Sequence, residues 1–90
     1  MSTPDDTRVP TLKPMYRFQW EAAQSAHVLL YPEGMVKLSG SAGEILKRVD
    51  GERSISAIIA ELKAAFGGAP LDDDVRNFLA QAAGNGWISL

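Results

Sequence analysis

The sequence contains no cysteine in its 90 residues. This absence excludes disulfides, thiolate metal sites, iron–sulfur ligation and cysteine nucleophiles. Histidine occurs once, as His27, inside an apolar run that is typical of a strand. Without a second histidine or a cysteine, a nucleophilic dyad or a zinc site lacks its partners. We therefore expect no catalytic residue, no metal site and no enzymatic activity.

Basic residues are too few for a strongly positive surface. Nine Lys and Arg residues stand against eleven Asp and Glu residues, which gives a net charge of −2 and a pI near 5.2. Proteins that bind nucleic acids normally carry a basic field to meet the phosphates. The charge therefore argues against a nucleic-acid partner.

Long hydrophobic runs are also missing. The longest stretch without a charged side chain is the 14 residues from Asn77 to Leu90, and a membrane span requires about 18–20 apolar residues. The first ten residues have no apolar core and do not resemble a secretory signal. We expect no membrane partner and a location in the cytoplasm.

The N-terminal segment differs in composition from the rest of the chain. Residues 1–14 contain Pro4, Pro10 and Pro14, and only Val9 and Leu12 could be buried. Segments with so few apolar residues rarely form a packed structure. We predict an extended, poorly ordered arm over residues 1–14 and one domain over residues 15–90.

Three strands are predicted after the arm. Tyr16, Phe18 and Trp20 alternate with polar residues, which is the period-2 pattern of a strand. A second β-rich run follows from Ala26 to Tyr31, and Pro32-Glu33-Gly34 breaks it. Because that gap is short, the next run, from Met35 to Leu38, should return as the third strand of an antiparallel meander.

Three helices are predicted after the strands. Ser39 or Ser41 can cap the first, Ser54 or Ser56 can cap the second, and the third begins around Pro70. The apolar stripes of the three are Ala42, Ile45, Leu46 and Val49, then Ile55, Ile58, Ile59, Leu62 and Phe66, then Leu71, Val75, Phe78, Leu79 and Ala82. The tail from Trp87 to Leu90 should be anchored on the core. The order βββααα predicts an α+β domain resembling a winged helix-turn-helix.

The third predicted helix is a poor match to a DNA-recognition helix. It starts with Asp72, Asp73 and Asp74 and carries one basic residue, Arg76, so its first turn would repel phosphates. Three successive helix residues point about 100° apart and cannot converge on one metal ion. The acidic run is instead typical of a helix start.

The remaining function class is peptide binding. A sheet edge beside an apolar helix can accept a peptide strand. On the third strand, Met35 and Lys37 share one face and Val36 and Leu38 the other. The predicted peptide-binding residues are Met35, Val36, Lys37, Leu38, Ser39, Arg76, Leu79 and Ala83. Arg76 and Lys37 could hold acidic groups, and Leu79 and Ala83 could complete an apolar groove; alternatively Leu79 is core and Arg76 is solvated.

The order of several short motifs resembles the PqqD family of pyrroloquinoline quinone (PQQ) biosynthesis. The motifs are Arg8-x-Pro10-x-Leu12, Arg17-Phe18, Trp20-Glu21, Val28 to Gly34, Leu38-Ser39, Ala42 to Ile59 with Asp50-Gly51-x-Arg53, Phe78-Leu79 and Gly86-Trp87-Ile88. Their order and combined length, from Arg8 to the C-terminal end, make the resemblance specific.

The resemblance implies a peptide chaperone with a winged-helix-like fold. Such proteins bind the ribosomally made precursor peptide PqqA and bring it to the radical S-adenosylmethionine (SAM) enzyme PqqE, which cross-links a Glu and a Tyr of the peptide. In similar domains the peptide joins the sheet beside the third strand and rests on the third helix. No cofactor is implied in this chain. The alternatives are a leader-peptide-binding domain of another peptide-modifying (RiPP) system and, second, a winged-helix DNA-binding regulator.

The open sheet edges also bear on the oligomeric state. Unpaired strands and a proline-bearing arm favour exchange between copies. We expect a monomer or a weak homodimer, with strand or arm exchange in crystals.

Overall fold

The computed structural model describes residues 5–90 as an α+β domain. Its strands are β1 (Thr11–Leu12), β2 (Arg17–Glu21), β3 (Ala26–Tyr31), β4 (Gly34–Lys37) and β5 (Ile88–Ser89), and its helices are α1 (Gly40–Leu46), α2 (Ile55–Ala65) and α3 (Asp72–Gly84). Strands β2, β3 and β4 form an antiparallel sheet in that order, while β1 pairs with β5 in a separate ribbon. The predicted three strands followed by three helices are confirmed.

The three-stranded sheet has one face toward the helices. Phe18 on β2 lies opposite Leu29 on β3, which lies opposite Val36 on β4, and all three side chains contribute to the core. Successive side chains of a strand point to opposite faces, so the neighbours of these three residues lie on the outer face. On that face Val28 is also fully buried, so the centre of β3 is shielded from water on both sides.

Side-chain caps fix where the first two helices begin. The Ser39 hydroxyl accepts a hydrogen bond from the Ala42 amide at 3.2 Å, and the Ser54 hydroxyl accepts one from the Ala57 amide at 3.1 Å. These bonds satisfy amides that a helix start leaves unpaired. Ser39 and Ser54, rather than Ser41 and Ser56, are therefore the caps.

The third helix begins without a side-chain cap. Its N-cap is Leu71, and Asp72, Asp73 and Asp74 occupy the first turn. Carboxylates there interact favourably with the positive end of the helix dipole. The start lies close to the predicted position at Pro70.

The core lies between the sheet and the three helices. Its fully or nearly fully buried apolar residues are Leu29, Leu38, Ala42, Ile45, Leu46, Ile55, Ile58, Ile59, Leu62, Val75, Leu79, Ala82 and Ile88. The predicted helical stripes supply most of them, and the predicted anchoring of the tail is confirmed by Ile88. Phe66 is an exception, because it follows the last residue of α2 and its side chain is 51% exposed.

The N-terminal arm differs from the expectation over its described part. The Pro10 side chain is fully buried, and β1 pairs with β5 through the register Thr11–Ser89 and Leu12–Ile88. The prediction of a poorly ordered arm is thus corrected for residues 5–14. Its physical reason is that backbone pairing with β5 holds this segment together with the few apolar side chains it has, Pro10 and Leu12. Residues 1–4 lie outside the described part of the chain.

The arm also completes the start of α2. The Ile55 amide donates to the Arg8 carbonyl at 2.9 Å and the Ser56 amide donates to the Asp6 carbonyl at 2.9 Å. Both amides belong to the first turn, where a helix has no partners of its own. The arm therefore acts as a backbone cap that no local sequence pattern reveals.

Within residues 5–90, no helix is long and apolar enough to cross a membrane. No group of three or more His, Cys, Asp or Glu residues among them could hold a metal ion.

Candidate peptide-binding site

The outer edge of β4 is the first part of the candidate site. The Leu38 amide donates to the His27 carbonyl at 3.0 Å, directly across from it. Hydrogen-bonded and non-bonded pairs alternate along an antiparallel ladder. Val36 therefore bonds to β3, whereas the amides and carbonyls of Met35 and Lys37 point outward. No strand among residues 5–90 covers this edge.

A groove beside this edge is the second part. It has a volume of about 710 Å³ and runs between the start of α1, the end of α2 and the first half of α3. Its lining residues are Ser39, Gly40, Ser41, Ala42, Glu44, Ile45, Leu62, Phe66, Leu71, Asp74, Val75 and Phe78. The lining is mainly apolar, which is typical of a site that takes apolar side chains.

Acidic side chains add charge to the groove. The Glu44 carboxylate accepts a hydrogen bond from Arg48 at 2.9 Å, and this bond lowers the pKa of Glu44. Asp74 is exposed on α3. Just outside the lining, Asp72 pairs with Lys63 at 3.1 Å, and the lysine lowers the pKa of that carboxyl. Glu44 therefore stays ionised at neutral pH, with Arg48 as its partner.

Of the predicted residues of the third strand, Met35, Val36 and Lys37 lie on the edge strand β4. Met35 is 44% exposed and Lys37 is exposed, both on the outer face, while Val36 is half-buried on the core side. Leu38 is buried in the core, and Ser39 caps α1 and lines the groove. Of the five, only Ser39 lines the groove, while Met35, Val36 and Lys37 lie on the strand that leads into it.

The predicted residues of α3 lie elsewhere. Leu79 has no exposed surface, so it packs within the core and does not line the groove, which corrects the sequence-based expectation. Arg76 donates to both oxygens of Asp6 at 2.8 Å and to Asp73 at 3.0 Å. These partners already occupy the guanidinium that was expected to hold an acidic peptide group. Ala83 is half-buried against the core and is not a lining residue.

The helix geometry explains this difference. Successive residues turn by about 100°, so Phe78 and Arg76 lie on nearly opposite sides of α3. The groove side is formed by Leu71, Asp74, Val75 and Phe78, whereas the Arg76 side faces the arm through Asp6. The sequence showed an amphipathic helix but not which flank the N-terminal arm would cover.

Two aromatic residues of the groove were missed as site residues. Phe66 and Phe78 were both assigned to core stripes, yet Phe66 is exposed and Phe78 is half-buried. The available signal was the position of Phe66, directly before Gly67-Gly68. A residue at the last turn of a helix leaves the packed stripe where the chain turns away.

The three-stranded sheet and three helices form a winged-helix-like domain, and its free sheet edge and apolar groove are typical of the peptide-binding class. The family model described as "Coenzyme PQQ synthesis protein D (PqqD)" matches residues 26–88. This chain belongs to the PqqD family. The resemblance found in the sequence motifs is thereby confirmed.

Similar proteins cover nearly all of the chain. A protein of Pseudomonas paraeruginosa named PqqA binding protein is 54% identical over 91 residues, covering 100% of this chain and 99% of its own. A protein of the same name from Azotobacter vinelandii is 53% identical and covers 91% of this chain and 90% of its own.

A solved structure agrees with the fold. The solution NMR structure of the PqqD truncation of Methylobacterium extorquens PqqCD matches with a TM-score of 0.79 and 28% identity, over 96% of this chain and 94% of that chain. That protein is described as a functional and stand-alone RiPP recognition element. The predicted fold class is therefore confirmed.

Proposed function

We propose that this chain binds the precursor peptide PqqA as an added strand on β4 and presents it to the radical SAM enzyme PqqE. The observation that carries the proposal is the uncovered β4 edge beside the groove. The names of the relatives, PqqA binding protein, support the choice of peptide. In this proposal the chain works in the cytoplasm as an adaptor, and the catalytic step belongs to PqqE.

Backbone pairing supplies the first part of the recognition. The outward amides and carbonyls of Met35 and Lys37 can bond to alternate residues of an extended peptide. Their spacing of two residues matches the repeat of a strand. The side chains of the bound peptide then alternate between the outer face and the groove.

The groove supplies the second part. Phe66 and Phe78 offer aromatic surface to apolar peptide side chains, and the exposed Asp74 offers negative charge. We therefore expect the bound segment to be apolar with a basic residue near its anchors. This replaces the expectation that Arg76 would select acidic residues, since Arg76 is held by Asp6. Lys37 stays available for an acidic residue on the outer face.

The first test is the substitution Phe78→Ala. Titration calorimetry with synthetic PqqA should show weaker binding by about tenfold or more, because a central aromatic anchor contributes upwards of 1 kcal/mol. Asn77→Ala is the matched control, since Asn77 is exposed on α3 and does not line the groove. Unchanged binding by the Phe78 variant, with both variants folded, would contradict the proposed groove.

A second measurement locates the peptide directly. Amide hydrogen exchange should slow at Met35 and Lys37 when PqqA is added, because those amides gain partners. Protection at the opposite edge of the sheet instead would place the peptide elsewhere.

Binding should also change little between low and high salt, since steep weakening is the signature of phosphate contacts and would favour the DNA-binding alternative.

The adaptor step is tested with the enzyme present. PqqE should cross-link PqqA faster with this chain than without it, and Phe78→Ala should remove most of that gain. Turnover by the purified chain alone would contradict the assignment of catalysis to PqqE.

A further inference from the structure

The second free edge of the sheet belongs to β2. We propose that two copies of this chain pair there, with their β2 strands antiparallel about a twofold axis at Gln19. The partner is a second copy of this chain, and the product is a continuous six-stranded sheet. This inference does not rest on the peptide-binding proposal, because it concerns the opposite edge.

The backbone of β2 is prepared for this pairing. The alternation that starts at the His27–Leu38 bond makes Val28 bond toward Gln19 on β2. The amides and carbonyls of Phe18 and Trp20 therefore point outward, where no strand of residues 5–90 covers them. With the axis at Gln19, Phe18 of one copy lies opposite Trp20 of the other. Each such pair can exchange both of its hydrogen bonds.

The side chains of β2 are self-complementary in the same register. The strand reads Arg17-Phe18-Gln19-Trp20-Glu21, with opposite charges at equal distances from its centre. Arg17 of one copy thus lies opposite Glu21 of the other, twice per dimer. These are non-hydrogen-bonded pairs, in which side chains approach more closely. An antiparallel twofold interface requires this kind of self-matching surface.

Exposed apolar surface at this edge supports the pairing. Trp20 is 56% exposed, although it extends the aromatic row that includes Phe18 and His27. In the dimer the Trp20 ring lies beside Phe18 of the second copy. Phe18 lines an open cavity of about 590 Å³ together with the exposed Met15. Pairing would cover part of this surface.

The other edge lacks the same self-complementarity. Strand β4 reads Gly34-Met35-Val36-Lys37, and its one charge has no opposite charge in the strand. A β4–β4 pair would gain no ion pair. The β2 edge is therefore the one that fits a second copy, and pairing there leaves β4 free in both copies for strand addition.

The size of the interface sets the strength of the dimer. Strand β2 has 5 residues, so the interface is smaller than the roughly 1,200 Å² of a stable complex. We expect a weak dimer that forms as the concentration rises, with a Kd no weaker than about 1 mM.

Charge reversal tests the register. Arg17→Glu places Glu opposite Glu21, and Glu21→Arg places Arg opposite Arg17, so each variant alone should dimerise about tenfold more weakly or worse. Mixing the two variants restores opposite charges at both contacts, and the mixture should associate at least as well as the wild type. The double variant Arg17→Glu/Glu21→Arg should also recover self-association. Sedimentation equilibrium over a concentration series measures all of these.

Lys47→Glu is the matched control. It makes the same change in net charge as Arg17→Glu, at an exposed position after α1, and it should leave self-association unchanged. A wild-type chain that stays monomeric up to about 1 mM, or a mixture that associates no better than its components, would overturn the proposal.

Amide exchange provides a second readout. Raising the protein concentration without peptide should slow exchange at Phe18 and Trp20 and leave Met35 and Lys37 unchanged. Concentration-dependent protection at Met35 and Lys37 instead would place self-association at β4 and would overturn the β2 assignment. Because peptide binding and self-association protect different amides, the failure of one proposal is distinguishable from the failure of the other.

Discussion

At the residue scale, Gly43 shows how closely α1 approaches the sheet. A Cβ atom at this position would lie 2.9 Å from Nδ1 and 3.3 Å from Cβ of His27. The imidazole is itself packed against two aromatic rings. The Phe18 ring is stacked on it with 4.8 Å between ring centroids, and the Trp20 ring meets it edge-on with 5.0 Å between centroids. The one histidine of the chain is thus a packing residue between a helix and two aromatic rings.

This contact predicts that Gly43→Ala destabilises the domain. Alanine normally favours a helix over glycine by up to about 1 kcal/mol, but here the added methyl forces the helix and His27 apart, which costs about 1–3 kcal/mol. Urea unfolding should show a lower midpoint. Gly40→Ala is the control, because nothing lies within 4 Å of a Cβ atom there, and its midpoint should not fall.

The residues of α3 show what the sequence could and could not specify. Periodicity alone placed Val75, Leu79 and Ala82 on the inner face, and all three are buried. It could not distinguish Leu79, which is fully enclosed, from Phe78, which reaches the groove, because both fall within the same apolar stripe. Substituting Leu79 would therefore report on folding, whereas substituting Phe78 reports on the groove.

At the element scale, the start of α2 is built from two sources. The Ser54 hydroxyl bonds the Ala57 amide, and the arm carbonyls of Arg8 and Asp6 bond the first two amides of the helix. Local sequence left Ser54 and Ser56 as equal candidates for the cap. The arm carbonyls bond the amides of Ile55 and Ser56, which places both residues in the first turn of the helix. Ser54 therefore stands just before the helix, in the position of the cap.

Ser54→Ala should consequently destabilise the domain by about 1 kcal/mol, the usual contribution of a serine cap. Ser56→Ala is the matched control: its side chain is exposed, and alanine is the better helix former. Thermal or urea unfolding of both variants distinguishes them. Equal stability of the two variants would contradict the assignment of the cap.

The strands and helices were predictable because each carries its own periodic pattern. The β1–β5 ribbon was not, since two-residue strands are too short to show alternation. Both strands form because distant parts of the chain meet. The proline-rich composition of the arm pointed to disorder, whereas Pro10 is fully buried.

At the scale of the whole molecule, paired carboxylates make stability depend on pH. Five acidic groups have a pKa below the ordinary value: Asp5, Asp6, Glu44, Asp50 and Asp72. For Asp6 the cause is the double hydrogen bond from Arg76, and for Asp50 it is the amides of Arg53 and Glu52. Such groups hold fewer protons in the folded chain than in the unfolded chain.

The sign of the effect follows directly. A lowered pKa stabilises the fold above the pKa of the unfolded chain, and the stabilisation is lost as the pH falls through the folded value. We expect the urea midpoint to decrease below about pH 4–5. Asp6→Asn and Arg76→Gln should each reduce this decrease, and the double variant should add little because both remove one ion pair. A pH profile identical to that of the wild type would contradict the role of this pair.

The arm also sets an order of events during folding. Asp6 and Arg76 are 70 positions apart, and Arg8 and the Leu90 carbonyl, which it contacts at 3.1 Å, are 82 apart. The β2–β3 and β3–β4 hairpins and the helices close over short loops, whereas these contacts must close most of the chain, at a greater cost in entropy. The arm should therefore dock last in refolding and detach first in unfolding. If the arm docks last, Asp6→Asn should raise the unfolding rate without lowering the refolding rate, and unfolding and refolding kinetics of this variant measure both.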